Sequence, residues 1–218
     1  MKTKGRIAIM LAGDAELGAD LRPWLDGAHT IIAADGGADT LLEHGVVPDV
    51  VVGDMDSISR SALDSVGPER VVRLLDQNTT DFQKAMRYAA ENLEPSEVVI
   101  LGSEGARLDH MLSEWIIVTL FAERFRVRFV LSNWIVYALA KGEHRIPSRR
   151  MGLVSLLPLS TAKVAAGSGL EYGVDDLEIG PGARNGISNR ATGDLVEITV
   201  ETGTVLAFVA RFEGDVQW

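Results

Sequence analysis

No cysteine occurs anywhere in this chain. A disulfide framework, a thiolate nucleophile and cysteine-bound zinc are therefore excluded, and the absence agrees with a reducing compartment. Positive charge is also scarce: 21 Lys and Arg face 31 Asp and Glu, giving a formal net charge of −10 at pH 7. No nucleic-acid partner is expected, because affinity for a polyanion comes from clustered Lys and Arg. A small anion that arrives with a metal ion remains compatible with this balance. Long hydrophobic runs are missing too. The apolar stretch 7–12 soon meets Asp14, so it reads as a buried first strand and not as a secretion signal. No run approaches the roughly 20 apolar residues of a membrane span. The expected location is the cytoplasm, with no membrane partner.

The common phosphate signatures are absent as well. There is no G-x-x-x-x-G-K-[ST] loop and no G-x-G-x-x-G between the first strand and its helix, which weakens both a P-loop kinase and a nicotinamide dehydrogenase reading. No G-x-S-x-G elbow appears. His29, His44 and His144 are scattered and make no metal-ligand spacing. His110, next to a helix start, reads as a packing or capping residue.

What is present is an ordinary globular composition, 46% hydrophobic and 24% charged over 218 residues, enough for one large domain or two small ones. The first part alternates strand-like and helix-like segments, as a parallel sheet covered by helices does. Strands are predicted over 6–11, 29–34, 50–53, 71–74, 98–101 and 127–131, with helices over 17–25, 38–44, 59–65, 80–92 and 109–124. After about residue 140 the texture changes to short β-rich runs, 153–157, 163–166, 195–200 and 205–212, parted by Gly, Pro and Asp. The expected fold is thus α/β: a Rossmann-like, mostly parallel sheet domain over 1–140, then an antiparallel β-sandwich over 141–218, with the boundary near the polar segment 141–150.

Four turns at the carboxyl ends of the predicted strands carry polar residues, and in open α/β sheets that edge is where ligands bind. In the first, Asp35 precedes Gly36 and Gly37, which permit a sharp turn and close backbone approach to a phosphate or ribose. In the second, Val50, Val51 and Val52 run into Gly53 and deliver Asp54 and Asp56. Extended chain would project both carboxylates to one side, a pair of hard oxygen ligands suited to Mg²⁺ carrying substrate phosphates. The third, Asp76-Gln77-Asn78-Thr79-Thr80-Asp81, opens a helix with Phe82, Ala85, Met86 and Ala89 on one face, and Thr79 or Thr80 can cap it. The fourth, Gly102 to His110, offers the planar fork of Arg107 and the carboxylate of Asp109. Acids, one cation and a carboxylate to position a hydroxyl make up a phosphoryl-transfer set.

The segments ADGGAD, PDVVVGDMDS, DQNTTDFQKAM and GARLDH, in this order and spacing, resemble the thiamine pyrophosphokinase family. In the β part Gly169-Leu170-Glu171-Tyr172, Asp175-Asp176 and Gly186-Ile187-Ser188-Asn189 resemble its thiamine-binding segment, so the likeness spans nearly the whole chain. The resemblance implies transfer of the pyrophosphoryl group of ATP to the hydroxyethyl oxygen of thiamine, with Mg²⁺ as cofactor and AMP leaving. It implies Asp54, Asp56, Asp81, Asp109 and Arg107 as catalytic residues, with Asp54, Asp56 and Asp81 on the metal. Asp35, Gly36, Gly37 and Arg107 would meet ATP. Gln77, Thr80, Tyr172, Ser188 and Asn189 would meet thiamine, in a homodimer whose thiamine pocket lies at the subunit interface. Two positions depart from the family pattern: Ala106 stands where a second glycine is common, and Tyr172 where tryptophan is. The nearest alternatives are a pyrophosphokinase of the same fold acting on a hydroxymethylpterin, and a non-catalytic module binding thiamine or a nucleotide.

Overall fold

The computed structural model describes residues 5–13, 21–105 and 107–211. One compact unit draws on residues up to Ile117 and on Phe129–Ser132; the other draws on Val118–Arg128 and on residues from Asn133 onward.

In the first unit, runs of Ile, Val, Ala and Leu form β1 (Arg6–Met10), β2 (Ala28–Ala34), β3 (Val50–Gly53), β4 (Val71–Arg73) and β5 (Glu97–Leu101). They build a parallel sheet in the order β5-β1-β2-β3-β4. Register places Ile9 between Ile32 and Ile100, and all three are fully buried. Strands covered on both faces need such unbroken apolar runs. The chain steps from β1 outward to β4 and then returns to the other side of β1 as β5. The carboxyl ends of β1 and β5 therefore flank a point where strand order reverses, a place where α/β sheets leave a crevice for ligands.

The connecting helices are α1 (Arg22–Leu25), α2 (Gly37–Glu43), α3 (Arg60–Val66), α4 (Asp81–Tyr88) and α5 (Leu108–Val118). Ser59 caps α3 by accepting from the Ala62 amide at 3.1 Å, and Gly67 ends it with φ +86°. The helix predicted over 80–92 is α-helical only to Tyr88; a π turn, Ala89–Leu93, follows and stops at Glu94 in the left-handed region. The helix predicted to run to 124 ends at Val118, after which the chain continues in turns. Of the helix predicted over 17–25, residues 22–25 are helical and 17–20 lie outside the described residues.

In the second unit the strands are β7 (Trp134–Leu139), β8 (Gly142–Pro147), β9 (Leu153–Pro158), β10 (Ala162–Ser168), β11 (Leu177–Ile179), β12 (Gly186–Arg190), β13 (Leu195–Thr202) and β14 (Val205–Ala210); β6 (Arg126–Val130) precedes them. One antiparallel set runs β12-β9-β14-β7 and the other β11-β10-β13-β8. Their inner faces share a core that includes Ile146, Val154, Leu156, Val164, Ile179, Val196, Ile198 and Val205. The segment 141–150, read from sequence as a polar boundary, is largely β8. Within it Ile146 is the one fully buried side chain, so the alternation is too weak to mark a strand before its pairing with β13 is known. Among the described residues no helix is long and apolar enough to cross a membrane.

Candidate active site

The site is built on Asp35. At the end of β2 this residue adopts φ +43°, and its carboxylate, 1% exposed, turns inward. Its Oδ2 accepts from the amides of Met55 at 3.0 Å and Asp56 at 3.2 Å, and its Oδ1 accepts from Ile58 at 2.8 Å. Burial raises the Asp35 pKa, against the backbone amides of Ile58, Ser57 and Asp56 and with help from the charge of Asp81. The left-handed residue in this turn is Asp35 itself, because Gly36 has ordinary right-handed geometry. Gly37 serves packing: a Cβ there would stand 2.2 Å from the Met10 carbonyl oxygen, so glycine lets α2 press onto β1.

The chain from Asp54 to Asp56 is not extended, as the sequence reading had it. Met55 adopts φ +68° with its side chain buried, held there by the Asp35 carboxylate. The acids converge all the same. One carboxylate oxygen from each of Asp35, Asp54, Asp56 and Asp81 lies within 4.8 Å of the others. Asp81 comes from the first turn of α4, whose N-cap Thr80 accepts from the Gln83 amide at 3.2 Å. The preceding loop is held by Asp76, which accepts from the Asn78 amide at 2.9 Å and the Thr79 hydroxyl at 3.0 Å. From this loop Gln77 donates to Asp54 Oδ2 at 3.1 Å.

Lys84, which the sequence reading missed, lies among these acids, 3% exposed. Its ammonium donates to Asp81 at 2.9 Å and to Asp54 Oδ2 at 3.2 Å. Burial alone would pull the Lys84 pKa down, but the two carboxylates outweigh it and hold the ammonium above its ordinary range. The hydrogen bond from Lys84 in turn lowers Asp54. The available signal was its place three residues after Asp81 on the helix, which puts the two side chains on one face. Asp54 Oδ1 is buried with no hydrogen-bond partner among the described residues. An orphaned carboxylate oxygen among three other acids is costly to leave unmet, and it fits a divalent cation with hard oxygen ligands.

Two cavities open at this sheet edge. One of about 200 Å³ is lined by Asp35, Gly36, Ser57, Thr80, Asp81 and Phe82, among others. A second of about 400 Å³ sits at the ends of β1 and β5, lined by Gly13, Gly102, Ser103, Glu104, Gly105 and Arg107, among others. His110 and Glu114 of α5 line both. Arg107 makes a bidentate pair with Asp109, at 2.9 Å from Nε and 2.7 Å from Nη2, with both side chains about two-thirds exposed. The guanidinium holds Asp109 well below the usual carboxylate range. Asp109 thus stands outside the four-acid group. Ala106 lies outside the described residues.

In the second unit the segments 169–172 and 186–189 meet through Asn189. Its side chain is 5% exposed; Oδ1 accepts from the Tyr172 amide at 3.0 Å and Nδ2 donates to the Tyr172 carbonyl at 2.7 Å. Tyr172 and Ser188 remain exposed, the latter at φ +60° with its amide donating to Ser155 Oγ at 3.0 Å. Asn189→Ala leaves both Tyr172 backbone groups unmet, and a loss of about 1–3 kcal/mol is expected in urea unfolding. Ser188→Ala should change stability by less than about 0.5 kcal/mol. Equal stability of the two variants would rule out the pinning role of Asn189.

Two family models match the chain. The model described as "Thiamin pyrophosphokinase, catalytic domain" matches residues 21–130, and "Thiamin pyrophosphokinase, vitamin B1 binding domain" matches residues 143–205. A thiamine pyrophosphokinase of Bacillus subtilis is 35% identical over 116 residues, 51% of this chain and 52% of that one. The match therefore spans about half the length of that relative. Thiamine pyrophosphokinase 1 of Oryza sativa is 24% identical over 213 residues, covering 85% of this chain and 81% of its own. The crystal structure of thiamine pyrophosphokinase from Bacillus subtilis superposes with a TM-score of 0.82 at 24% identity, over 94% of this chain and 98% of that one. Yeast thiamin pyrophosphokinase gives 0.77 at 16% identity, over 99% and 89%. An α/β unit with a mostly parallel sheet, followed by an antiparallel β unit, is the fold these structures share with it. With the catalytic-domain model covering half of its length, the chain belongs to the thiamin pyrophosphokinase family.

Proposed function

We propose that this protein transfers the pyrophosphoryl group of ATP to the hydroxyethyl oxygen of thiamine, forming thiamine diphosphate and AMP. The observation that carries this reading is the buried, unpartnered Asp54 Oδ1 within the Asp35, Asp54, Asp56 and Asp81 group, in a chain of this family. Residues 1–140 would bind nucleotide and metal, and residues 141–218 thiamine.

Asp54, Asp56 and Asp81 would hold Mg²⁺, which when bound neutralises charge on the phosphate oxygens. Asp35 keeps the 54–58 turn in place, and Lys84 offsets part of the negative charge before ligand arrives. Gly36, Gly37 and Arg107 border the nucleotide, with Arg107 suited to turn its fork from Asp109 to phosphate oxygens. One of Asp81 and Asp109 orients the attacking hydroxyl and takes its proton. The bond formed joins that oxygen to the β-phosphorus, the bond broken is the bridge to the α-phosphate, and AMP leaves with its electrons. Catalysis is then alignment and charge stabilisation. Gln77, Thr80, Tyr172, Ser188 and Asn189 would meet thiamine.

The family resemblance further implies a homodimer with its thiamine pocket at the subunit interface, and the expected location remains the cytoplasm. Leu108, Leu112 and Ile116, about one turn apart on α5 and each more than half exposed, support a second copy by offering it an apolar face.

An AMP-release assay with Mg²⁺ and ATP tests the reaction. AMP should form with thiamine and not with 6-hydroxymethylpterin. Release with the pterin alone would replace the acceptor, and thiamine binding without AMP would reduce the protein to a binding module.

A further inference from the structure

The sequence reading passed over Glu114, and no role in the proposed reaction depends on it. It lies on α5 among Leu112, Trp115, Ile116 and Ile117, yet its side chain is directed inward and is 8% exposed. The residue borders both cavities, the one beside the four acids and the larger one at the ends of β1 and β5. The Ser103 hydroxyl donates to its Oε2.

The charged groups sharing these cavities are His110 on the same helix, Glu104 and Arg107 on the loop after β5, and Asp35 and Asp81 from across the sheet edge. No cation among them is paired with Glu114. Arg107 is engaged with Asp109. Lys84 is engaged with Asp54 and Asp81. Glu104 accepts from the amide and hydroxyl of Ser132. A buried carboxylate without a counter-charge disfavours its own ionisation, and a polyanion brought into the same cavities disfavours it further.

Resting on the reading of these cavities as a nucleotide site, we propose that Glu114 is a nucleotide-binding residue that works as the neutral acid, so that its carboxyl takes up a proton as a polyphosphate binds. The neutral carboxyl keeps the Ser103 hydroxyl on one oxygen and offers its own O–H to an acceptor on the nucleotide. An ionised carboxyl there would offer only repulsion. The direction of its titration agrees: burial pushes Glu114 up to about 7, against the Ser103 hydroxyl bond, which lowers it. In the absence of nucleotide the residue is thus part-ionised at neutral pH.

Titration calorimetry with Mg²⁺ and an ATP analogue whose α,β bridge is methylene, run at pH 7.5 in buffers of different ionisation enthalpy, tests this directly. The full-length protein should take up about 0.75 proton more than Glu114→Gln, from a group near 7 that is neutral in the complex. Above pH 7 the native affinity should fall by up to about tenfold per pH unit while that of Glu114→Gln, which keeps a donor and the Ser103 acceptor, stays level. Ser103→Ala removes the bond that lowers Glu114 and should move the fall to higher pH. Equal proton uptake in native and Glu114→Gln proteins overturns the proposal.

A second readout needs no nucleotide. A raised folded-state pKa contributes stability that is complete below the unfolded carboxyl value and is lost as pH rises through about 7. The native Tm at pH 8 should then lie below that of Glu114→Gln and converge with it near pH 5. Absence of that difference overturns the ionisation argument. If the Tm difference is present but the analogue does not bind, the nucleotide reading of the cavities fails with the proposal, and the buried acid stands alone.

Discussion

Asp54→Asn should lower AMP formation from ATP and thiamine by a factor of about 10² to 10³ or more, while the protein stays folded. The substitution keeps the volume of the side chain and removes one anionic oxygen from a group of four acids. Losses of that size follow when a group positioned against developing phosphate charge is neutralised. Its buried Oδ1, which has no hydrogen-bond partner among the described residues, becomes an amide atom that a divalent cation binds poorly. The fold should tolerate the change because Lys84 retains Asp81, at 2.9 Å, and because one like charge has left a crowded site. Two measurements are needed together: AMP release at saturating Mg²⁺, and the rise in Tm on adding Mg²⁺. Native protein should show the rise and Asp54→Asn should lose most of it. Near-native turnover, or an unchanged Mg²⁺-dependent Tm, would remove Asp54 from the metal site.

Lys84→Met should cost about 3 kcal/mol of stability in the absence of metal. The Lys84 side chain is 4% exposed, and its ammonium bridges Asp54, whose side chain is 12% exposed, and Asp81, whose side chain is 30% exposed. Removing one partner of a buried ion pair leaves an uncompensated charge, typically a loss of 3–5 kcal/mol. The lower end applies because Asp81 has partial access to solvent. Divalent cation should restore much of that loss, since it replaces the missing positive charge, so unfolding midpoints with and without Mg²⁺ should differ more in the variant than in the native protein.

The sign with pH follows from the same contacts. Asp54 is lowered chiefly by Lys84, so its contribution is complete above the unfolded carboxyl value of about 4 and is lost as pH falls below it. Lys84→Met should lose part of that acid-side dependence. A variant as stable as the native protein, with or without Mg²⁺, would show that Lys84 does not balance the acids.

Much of this was legible from residues alone. Val50 to Val52, Val98 to Leu101 and Ile7 to Met10 could only be strands buried on both faces, because no polar residue interrupts them. Asp54 then falls where β3 stops, and Asp81 where α4 starts. The strands that escaped notice in the second unit are mainly edges: β8, β11 and β12 each end a sheet order. An edge strand buries few side chains, such as Ile146 in β8 or Leu177 and Ile179 in β11, so its hydrophobic alternation is faint.

Sequence by itself therefore determined where the apolar layers run, which loops carry acids, and which family the order of motifs resembles. Each of these depends on residue type along one segment. Tertiary structure decided what the polar groups do. Asp35, expected at a nucleotide, also holds three amides twenty or more residues away. Asp109 was grouped with the acids and pairs with Arg107 instead. Asn189 is committed to the backbone of Tyr172, and Lys84 and Glu114 proved to be buried at the sheet edge. The hydrophobic effect is non-directional and can be read from composition and period, whereas a hydrogen bond or an ion pair depends on distance and angle to a group supplied by another segment. Which segment that is becomes known only when the chain has folded.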